Sequence, residues 1–436
     1  MYIKKFQVEG FRGFKDQLTL ELDPKVNVLV GVNGAGKSSL LDGMEYMLFW
    51  FVKDFAVLKE IDLKDKDICD ISKKLEMQIW LIKDVELVSW KAHKDRKYNA
   101  FTYPEGGSSQ IIHGSWITDF FNSKEKLNLP IIQFYQSSRL LADKITESSR
   151  FYSPYEDFTS HALFSDFTSW FINIKNYENH IRLNKDNNYR NNELLALEKA
   201  LVAFFNLIEQ GTSKFSKIDL YYEEISDFAN LENKPELVLL KNETILKIEK
   251  LSDGEKMLLL MIGNIVRGLS GMSTFTFGIE KALNRLPEDI LSGPGIVLID
   301  EIELHLHPAW QRNIIPALTA TFPNIQFIVT TQSPQVLSNV DSKSVFILED
   351  FKLVENTPPT KGRDSNSILW EVFAVEERPK IVKDLLQSFY SQLEDDLQNA
   401  EKTMELLSQM LGDQDKEVLR ARYHLDIEIR LSKEAS

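Results

Sequence analysis

Two short stretches carry residues whose types and spacing suit phosphate chemistry. Gly31-Val32-Asn33-Gly34-Ala35-Gly36-Lys37-Ser38 fits G-x-x-x-x-G-K-[ST] at every fixed position. Glycines let successive backbone N–H groups turn toward a polyphosphate, and a following helix adds the positive end of its dipole. Asn33, Gly34, Ala35, Gly36, Lys37, Ser38 and Ser39 are therefore expected to line ATP or GTP. Lys37 would act as a point charge on the outer phosphates, and the Ser38 hydroxyl would be a ligand to Mg²⁺. The second stretch, Gly295-Ile296-Val297-Leu298-Ile299-Asp300-Glu301, is an apolar run ending in two carboxylates. Asp300 is placed to hold Mg²⁺ and Glu301 to orient and deprotonate an attacking water; a positioned base contributes ~10²–10⁴ in rate. Two adjacent acids at the end of a buried strand have little structural use.

The elements that must position these residues are readable around them. Val26–Val30 is an apolar, β-branched run that predicts a buried strand, and Ser38–Glu45 predicts the helix after the loop. Tyr2–Val8 and Leu18–Leu22 alternate as strands, with Gly10 and Gly13 turning between them. Leu75–Ile82 and Val85–Trp90 predict further strands, and the basic run Lys91–Lys97 reads as a solvated hairpin tip rather than a phosphate-backbone contact. Pro130–Tyr135 predicts a buried strand entering a polar loop at Gln136. Tyr189–Leu207 has helical spacing, with Leu194, Leu195, Leu197, Leu201 and Phe205 on one broad face. The aromatic-rich Phe151–Phe171 is read as packing rather than base stacking. Strands resume at Leu237–Leu240 and Ile245–Ile248. Ser252 with Glu255 forms a capping-box pattern before a helix through Met257–Gly268. Trp310–Thr321 predicts a helix, Ile325–Thr331 and Val345–Leu348 strands, and Ile381–Leu411 and Lys416–Leu431 two helices around Gly412.

Bulk properties narrow the classes. A chain of 436 residues exceeds one simple core, and 43% apolar with 27% charged residues is ordinary globular composition. The net charge of −14 lacks the basic footprint of a nucleic-acid binder. Cys69 is the single cysteine, which excludes a disulfide framework or a zinc cluster. The first residues do not resemble a signal peptide, and Met44–Val52 is far short of the ~20 residues that span a bilayer. The expected setting is the cytoplasm, with no membrane partner.

Val8-Glu9-Gly10-Phe11-Arg12-Gly13-Phe14 resembles the opening of the RecF, SMC and OLD-nuclease group of ABC-type ATPases, which implies that Arg12 lies near the nucleotide. Leu251-Ser252-Asp253-Gly254-Glu255-Lys256 resembles the ABC signature, which implies that Ser252 and Gly254 contact the γ-phosphate held by another subunit. Glu303-Leu304-His305-Leu306-His307-Pro308 is similar to the Glu-x-x-Leu-His-Pro wording of RecF- and OLD-like ATPases, where it forms the D-loop at the dimer interface. ABC-type heads also carry a Gln that senses Mg²⁺ and the γ-phosphate, and Gln136 and Gln133 are both candidates. At Gln332-Ser333-Pro334 this chain departs from most relatives, which have His at the switch position. Gln332 can donate a hydrogen bond but cannot carry a proton, so slow or tightly gated hydrolysis is expected. Sustained heptads of SMC arms are missing between the two halves of the head, and the tail is too short for the TOPRIM domain of an OLD nuclease.

The tail wording Gly362-Arg363-Asp364, Ser367-Ile368-Leu369 and Arg378-Pro379 resembles the ATPases of Septu anti-phage systems and of a class of defence retrons. The resemblance implies an α/β fold: an ABC/SMC-type P-loop ATPase head with a mixed sheet, an N-terminal antiparallel β lobe, a helical insertion and a C-terminal helical extension. The expected division is residues 1–140 and 237–350 for the head, 141–236 for the insertion and 351–436 for a partner-docking segment. It also implies a head-to-head dimer or higher oligomer that binds ATP and Mg²⁺ and regulates a separate HNH nuclease, with nucleic acid reached through the complex. The rivals are a RecF-like repair ATPase that binds DNA itself, a transporter ATPase and a toxin or translation-factor ATPase.

Overall fold

A computed structural model describes residues 1–52, 63–83, 86–96, 101–102, 130–137, 157–158, 160–211, 215–222, 235–277 and 285–434. The chain divides into two compact units, Met1–Ile368 and Leu369–Ser436.

In the first unit the site is carried by a sheet whose order is β15-β14-β3-β13-β12-β7-β8. Its strands are β3 (Val26–Val30), β7 (Ile131–Tyr135), β8 (Asp157–Phe158), β12 (Gly295–Ile299), β13 (Ile325–Thr331), β14 (Val345–Glu349) and β15 (Lys352–Leu353). All neighbours pair in parallel except the hairpin of β14 with β15. Every residue of β3, β7, β12 and β13 is buried, as the continuous apolar runs require of strands covered on both faces.

A second, antiparallel sheet has the order β2-β1-β4-β5-β6. It is built from β1 (Tyr2–Glu9), β2 (Leu18–Glu21), β4 (Lys74–Lys83), β5 (Glu86–Asp95) and β6 (Phe101–Thr102). The two sheets are stitched by Gln326, whose side chain accepts from Ile3 N at 2.7 Å and donates to Ile3 O at 2.9 Å. The basic run at 91–97 is a strand, not a hairpin tip, over its described part. Lys91 pairs with Glu76 across the ladder, and Lys94 is buried with its ammonium on Leu63 O at 2.7 Å. Lys97, the start of the aromatic segment at residues 151–156 and the Pro104–Ser109 loop lie outside the described residues, whereas Phe167 and Phe171 of that segment are buried.

The helices are α1 (Lys37–Val52), α2 (Ser160–Asn184), α3 (Asn192–Ile208), α4 (Asp253–Phe277), α5 (Pro287–Leu291), α6 (Pro308–Thr321), α7 (Pro334–Leu337) and α8 (Ser365–Phe373). Asn191 caps α3 by accepting from Glu193 N and Leu194 N; of the expected face, Leu194, Leu197, Leu201 and Phe205 are buried and Leu195 is half-buried. Residues 141–236 are not wholly helical. β9 (Phe215–Tyr221) pairs with β10 (Glu236–Lys241), which pairs with β11 (Thr244–Lys247). Lys241 leaves that sheet to bond Glu209 at 2.8 Å and Glu255 at 2.9 Å, tying it to the end of α3 and the start of α4.

The second unit contains α9 (Lys380–Asp395), α10 (Leu397–Leu411) and α11 (Lys416–Glu434). The expected single helix from Ile381 to Leu411 is two. At Asp396 the backbone leaves helical geometry, with φ −152°, and the side chain accepts from Asn399 N at 3.1 Å to start the next helix. Phe389, Leu393, Ala400, Met404, Leu407, Val418, Ala421 and Leu425 form the small core. Among the described residues no helix is long and apolar enough to cross a membrane.

Candidate active site

Parallel strands collect their carboxyl ends at one edge, and an open α/β sheet binds ligands there. Four adjacent strands, β3, β13, β12 and β7, each hand one candidate segment to that edge. β3 leads into the glycine loop and α1, β12 into Asp300-Glu301, β13 into Gln332, and β7 into Gln136.

The loop's shape depends on glycine where the chain is crowded and left-handed. Gly36 has φ 101°, and a Cβ there would sit 2.6 Å from the Phe14 ring and 2.7 Å from the Phe351 ring. These rings meet edge to face at 5.2 Å beneath the loop. Lys37 curls back so that its Nζ donates to Gly31 O at 2.8 Å and Val32 O at 3.0 Å. Burial lowers the Lys37 pKa, and Asp300, Glu303 and Glu301 pull it back up. Its ammonium is therefore held by loop carbonyls in the field of Asp300, Glu301 and Glu303.

Ser38 Oγ donates to Asp300 Oδ1 at 2.9 Å, and Thr330 Oγ1 donates to the same oxygen at 2.6 Å. Thr330 Oγ1 in turn accepts from Glu301 N at 2.7 Å. That bond anchors Glu301 in the left-handed region, at φ 48°, which costs a non-glycine residue about 1–3 kcal/mol. Gln332 Nε2 donates to Glu301 Oε1 at 3.3 Å, and Gln332 N donates to Glu303 Oε1 at 2.6 Å. A hydroxyl and a carboxylate converging behind a phosphate loop are hard oxygen donors and fit Mg²⁺.

The two glutamines differ in surroundings. Gln133 is buried, donating to Asn264 O at 3.1 Å and accepting from the Tyr135 hydroxyl at 3.0 Å. Gln136 follows β7 next to Asp300, whose N–H donates to Tyr135 O at 2.8 Å. Gln136 alone of the pair is at the strand ends.

Arg12 reaches α1 and does not stand free. It bonds Asp42 and Ser39 on α1 and Asp67 on the following 3-10 turn, with φ 48° at its own backbone. Burial raises the Asp42 pKa, opposed by Arg12. Ser252 closes a capping box: its N–H and hydroxyl both bond Glu255 Oε2, at 3.0 and 2.9 Å, and Glu255 N returns to Ser252 Oγ at 3.3 Å. Gly254 lies against the D-loop-like segment, where a Cβ would be 2.4 Å from His305 O. His307 caps α6, its Nδ1 accepting from Ala309 N at 3.3 Å. Among the described residues no group of three or more His, Cys, Asp and Glu side chains could hold a metal ion.

A phosphate loop, two carboxylates and a glutamine at one sheet edge are the parts of a nucleotide hydrolase, and comparison agrees. An "AAA ATPase domain" profile matches residues 1–189. A second profile, an AAA domain described with the AbiEii toxin of type IV toxin–antitoxin systems, matches residues 124–338. The chain is a P-loop ATPase. It is 27% identical to "Retron Ec83 probable ATPase" of Escherichia coli, over 98% of this chain and 87% of that one. It is 21% identical to "Septu protein PtuA" of Bacillus thuringiensis, over 93% of this chain and 92% of that one. Among solved structures, the SMC head domain from Thermotoga maritima is 14% identical with a TM-score of 0.43, covering 81% of this ATPase and 98% of that chain. Thr330 and the Glu303–Gln332 bond were not singled out in the sequence. The doublet Thr330-Thr331 at a strand end was the available signal for the first, and the second joins residues with no local pattern.

Proposed function

We propose that this ATPase is the nucleotide-switched regulatory subunit of an anti-phage defence complex and controls a partner HNH nuclease. The retron and Septu names of relatives aligned along nearly the whole chain support the defence setting. The observation that carries the hydrolytic part is the continuous bonding from Ser38 through Asp300 and Thr330 to Glu301 and Gln332.

In this reading ATP lies on Asn33 to Ser39, with Lys37 exchanging its loop carbonyls for the outer phosphates. Ser38 and Asp300, with Gln136 beside them, would hold Mg²⁺, and the ion would supply charge neutralisation at the phosphates. Glu301 accepts a proton from water as the water oxygen attacks the γ-phosphorus and ADP leaves. Gln332 orients that water and Glu301 by its amide. Ser252 and Gly254 present the start of α4 to the nucleotide of a second copy, making a head-to-head dimer or larger oligomer. Arg12 acts through Ser39 and Asp42 to fix the first two turns of α1. Nucleic acid is reached through the complex, in keeping with the net charge of −14.

The test is co-expression with the adjacent gene, purification and mass determination. A stable complex with an HNH protein whose cleavage responds to ATP supports the reading. A lone dimer that binds DNA ends with ATP, in a salt-dependent manner, replaces it with a RecF-like repair ATPase.

A further inference from the structure

Glu303 lies two residues beyond Glu301 and is largely enclosed. One carboxylate oxygen, Oε1, accepts the Gln332 N–H at 2.6 Å; the other, Oε2, is buried with no hydrogen-bond partner among the described residues. Enclosing a carboxylate with one oxygen unmet is costly, and a costly buried group needs a reason. Burial pushes its pKa up, against the Gln332 N–H, which favours the ionised form.

The reason lies in what Glu303 connects. Gln332 is gripped at two points, its backbone by Glu303 and its side-chain amide by Glu301. A parallel tie joins the same two segments: Gln311 donates to Leu306 O at 2.9 Å and accepts from Ser333 Oγ at 2.6 Å. The segment carrying Glu303 is bounded by two left-handed residues, Glu301 at φ 48° and His305 at φ 61°, and Gly254 of α4 is packed on the His305 carbonyl.

We propose that Glu303 is a positioning residue for hydrolysis, fixing the Gln332 backbone so that the Gln332 amide meets Glu301. Through it, the alignment of water-facing groups is tied to the segment on which the start of α4 rests. This rests on the roles given above to Glu301 and Gln332.

A double-mutant cycle tests it with the full chain: E303A, Q332A and the pair, each read for ATP turnover, Mg²⁺-free nucleotide affinity and melting temperature. E303A is expected to lower kcat by about 10- to 100-fold, with KM and nucleotide affinity held within about 3-fold. E303Q keeps an acceptor oxygen and is expected to restore kcat to within about 3-fold of the parent. In the Q332A background, E303A should cost less than about 3-fold, because its route of action is already gone. Full, independent losses in the double variant overturn the proposal, and so does an E303Q as slow as E303A, which would assign the effect to charge toward Lys37. A Q332A with unchanged turnover instead removes the Gln332 reading itself. Should E303A not fold, E303L fills the volume without an acceptor; failure of both to fold makes Glu303 a structural residue and overturns the proposal.

Discussion

The edge of the parallel sheet and the helical C-terminal unit reach order by opposite routes. At the sheet edge, β3 is flanked by β13 and β14, partners hundreds of residues downstream, and each of four strands contributes one polar segment beyond a wholly buried stem. In the C-terminal unit α9, α10 and α11 pack as chain neighbours around eight buried residues. Leu406, Met410, Leu419 and Tyr423 remain exposed there. Long-range pairing fixes a few polar atoms to within hydrogen-bond tolerance, which chemistry needs. Local pairing of short helices makes a small body with wide surfaces, and its densest polar knot, Asp415 with Arg378 and the first N–H groups of α11, caps a helix instead of gathering side chains from distant strands.

If that contrast is right, substitutions should separate cleanly. E301Q keeps the oxygen that accepts from Gln332 but is a poor base; turnover should fall by at least about 10²-fold while nucleotide affinity holds. Undiminished turnover, measured by phosphate release, would remove Glu301 as the base. L407A in the second unit should cost about 2–4 kcal/mol by opening a cavity, seen as an earlier unfolding transition in calorimetry. ATP turnover should stay within about 2-fold, and a large loss would break the separation between the units. The subtlest effect belongs to Glu193, at the start of α3. Burial pushes its pKa up to about 7, against the Trp170 indole bond that favours the ionised form. Between its usual value and about 7 the folded chain keeps a proton that the unfolded chain releases. Stability is therefore greatest below that window and declines as pH rises through it, by up to about 3 kcal/mol. E193Q should flatten that slope in melting curves taken from pH 5 to pH 8.

The same contrast explains what could be read from residue order alone. The phosphate loop, the Asp300-Glu301 pair and their strands were legible, because buried parallel strands are continuous apolar runs and the loop needs Gly and Lys at fixed intervals. The break at Asp396 was not, since apolar spacing runs on through it and only the cap of α10 reveals the turn. β9 was hidden for a related reason: Phe215–Tyr221 has a mixed burial pattern, and its partner β10 lies beyond a long polar stretch, residues 222–235, instead of a two-residue hairpin turn. The two candidate glutamines could be separated only by environment, because Gln133 and Gln136 sit on the same strand and its exit. Gln332 and Glu303 carry no spacing rule that joins them. Their bond exists because β12 and β13 are neighbours in the sheet.

The Phe14–Phe351 floor under Gly36 also sets an order of events during synthesis. The glycine loop is made early, yet β13, β14 and Phe351, which give it walls and floor, are made last in the head. At roughly 5–20 residues per second the ribosome takes on the order of tens of seconds to cover that interval. Throughout it the loop is a sequence without its cradle. A chain released early, short of Phe351, would carry every residue of the glycine loop without the ring that closes its floor.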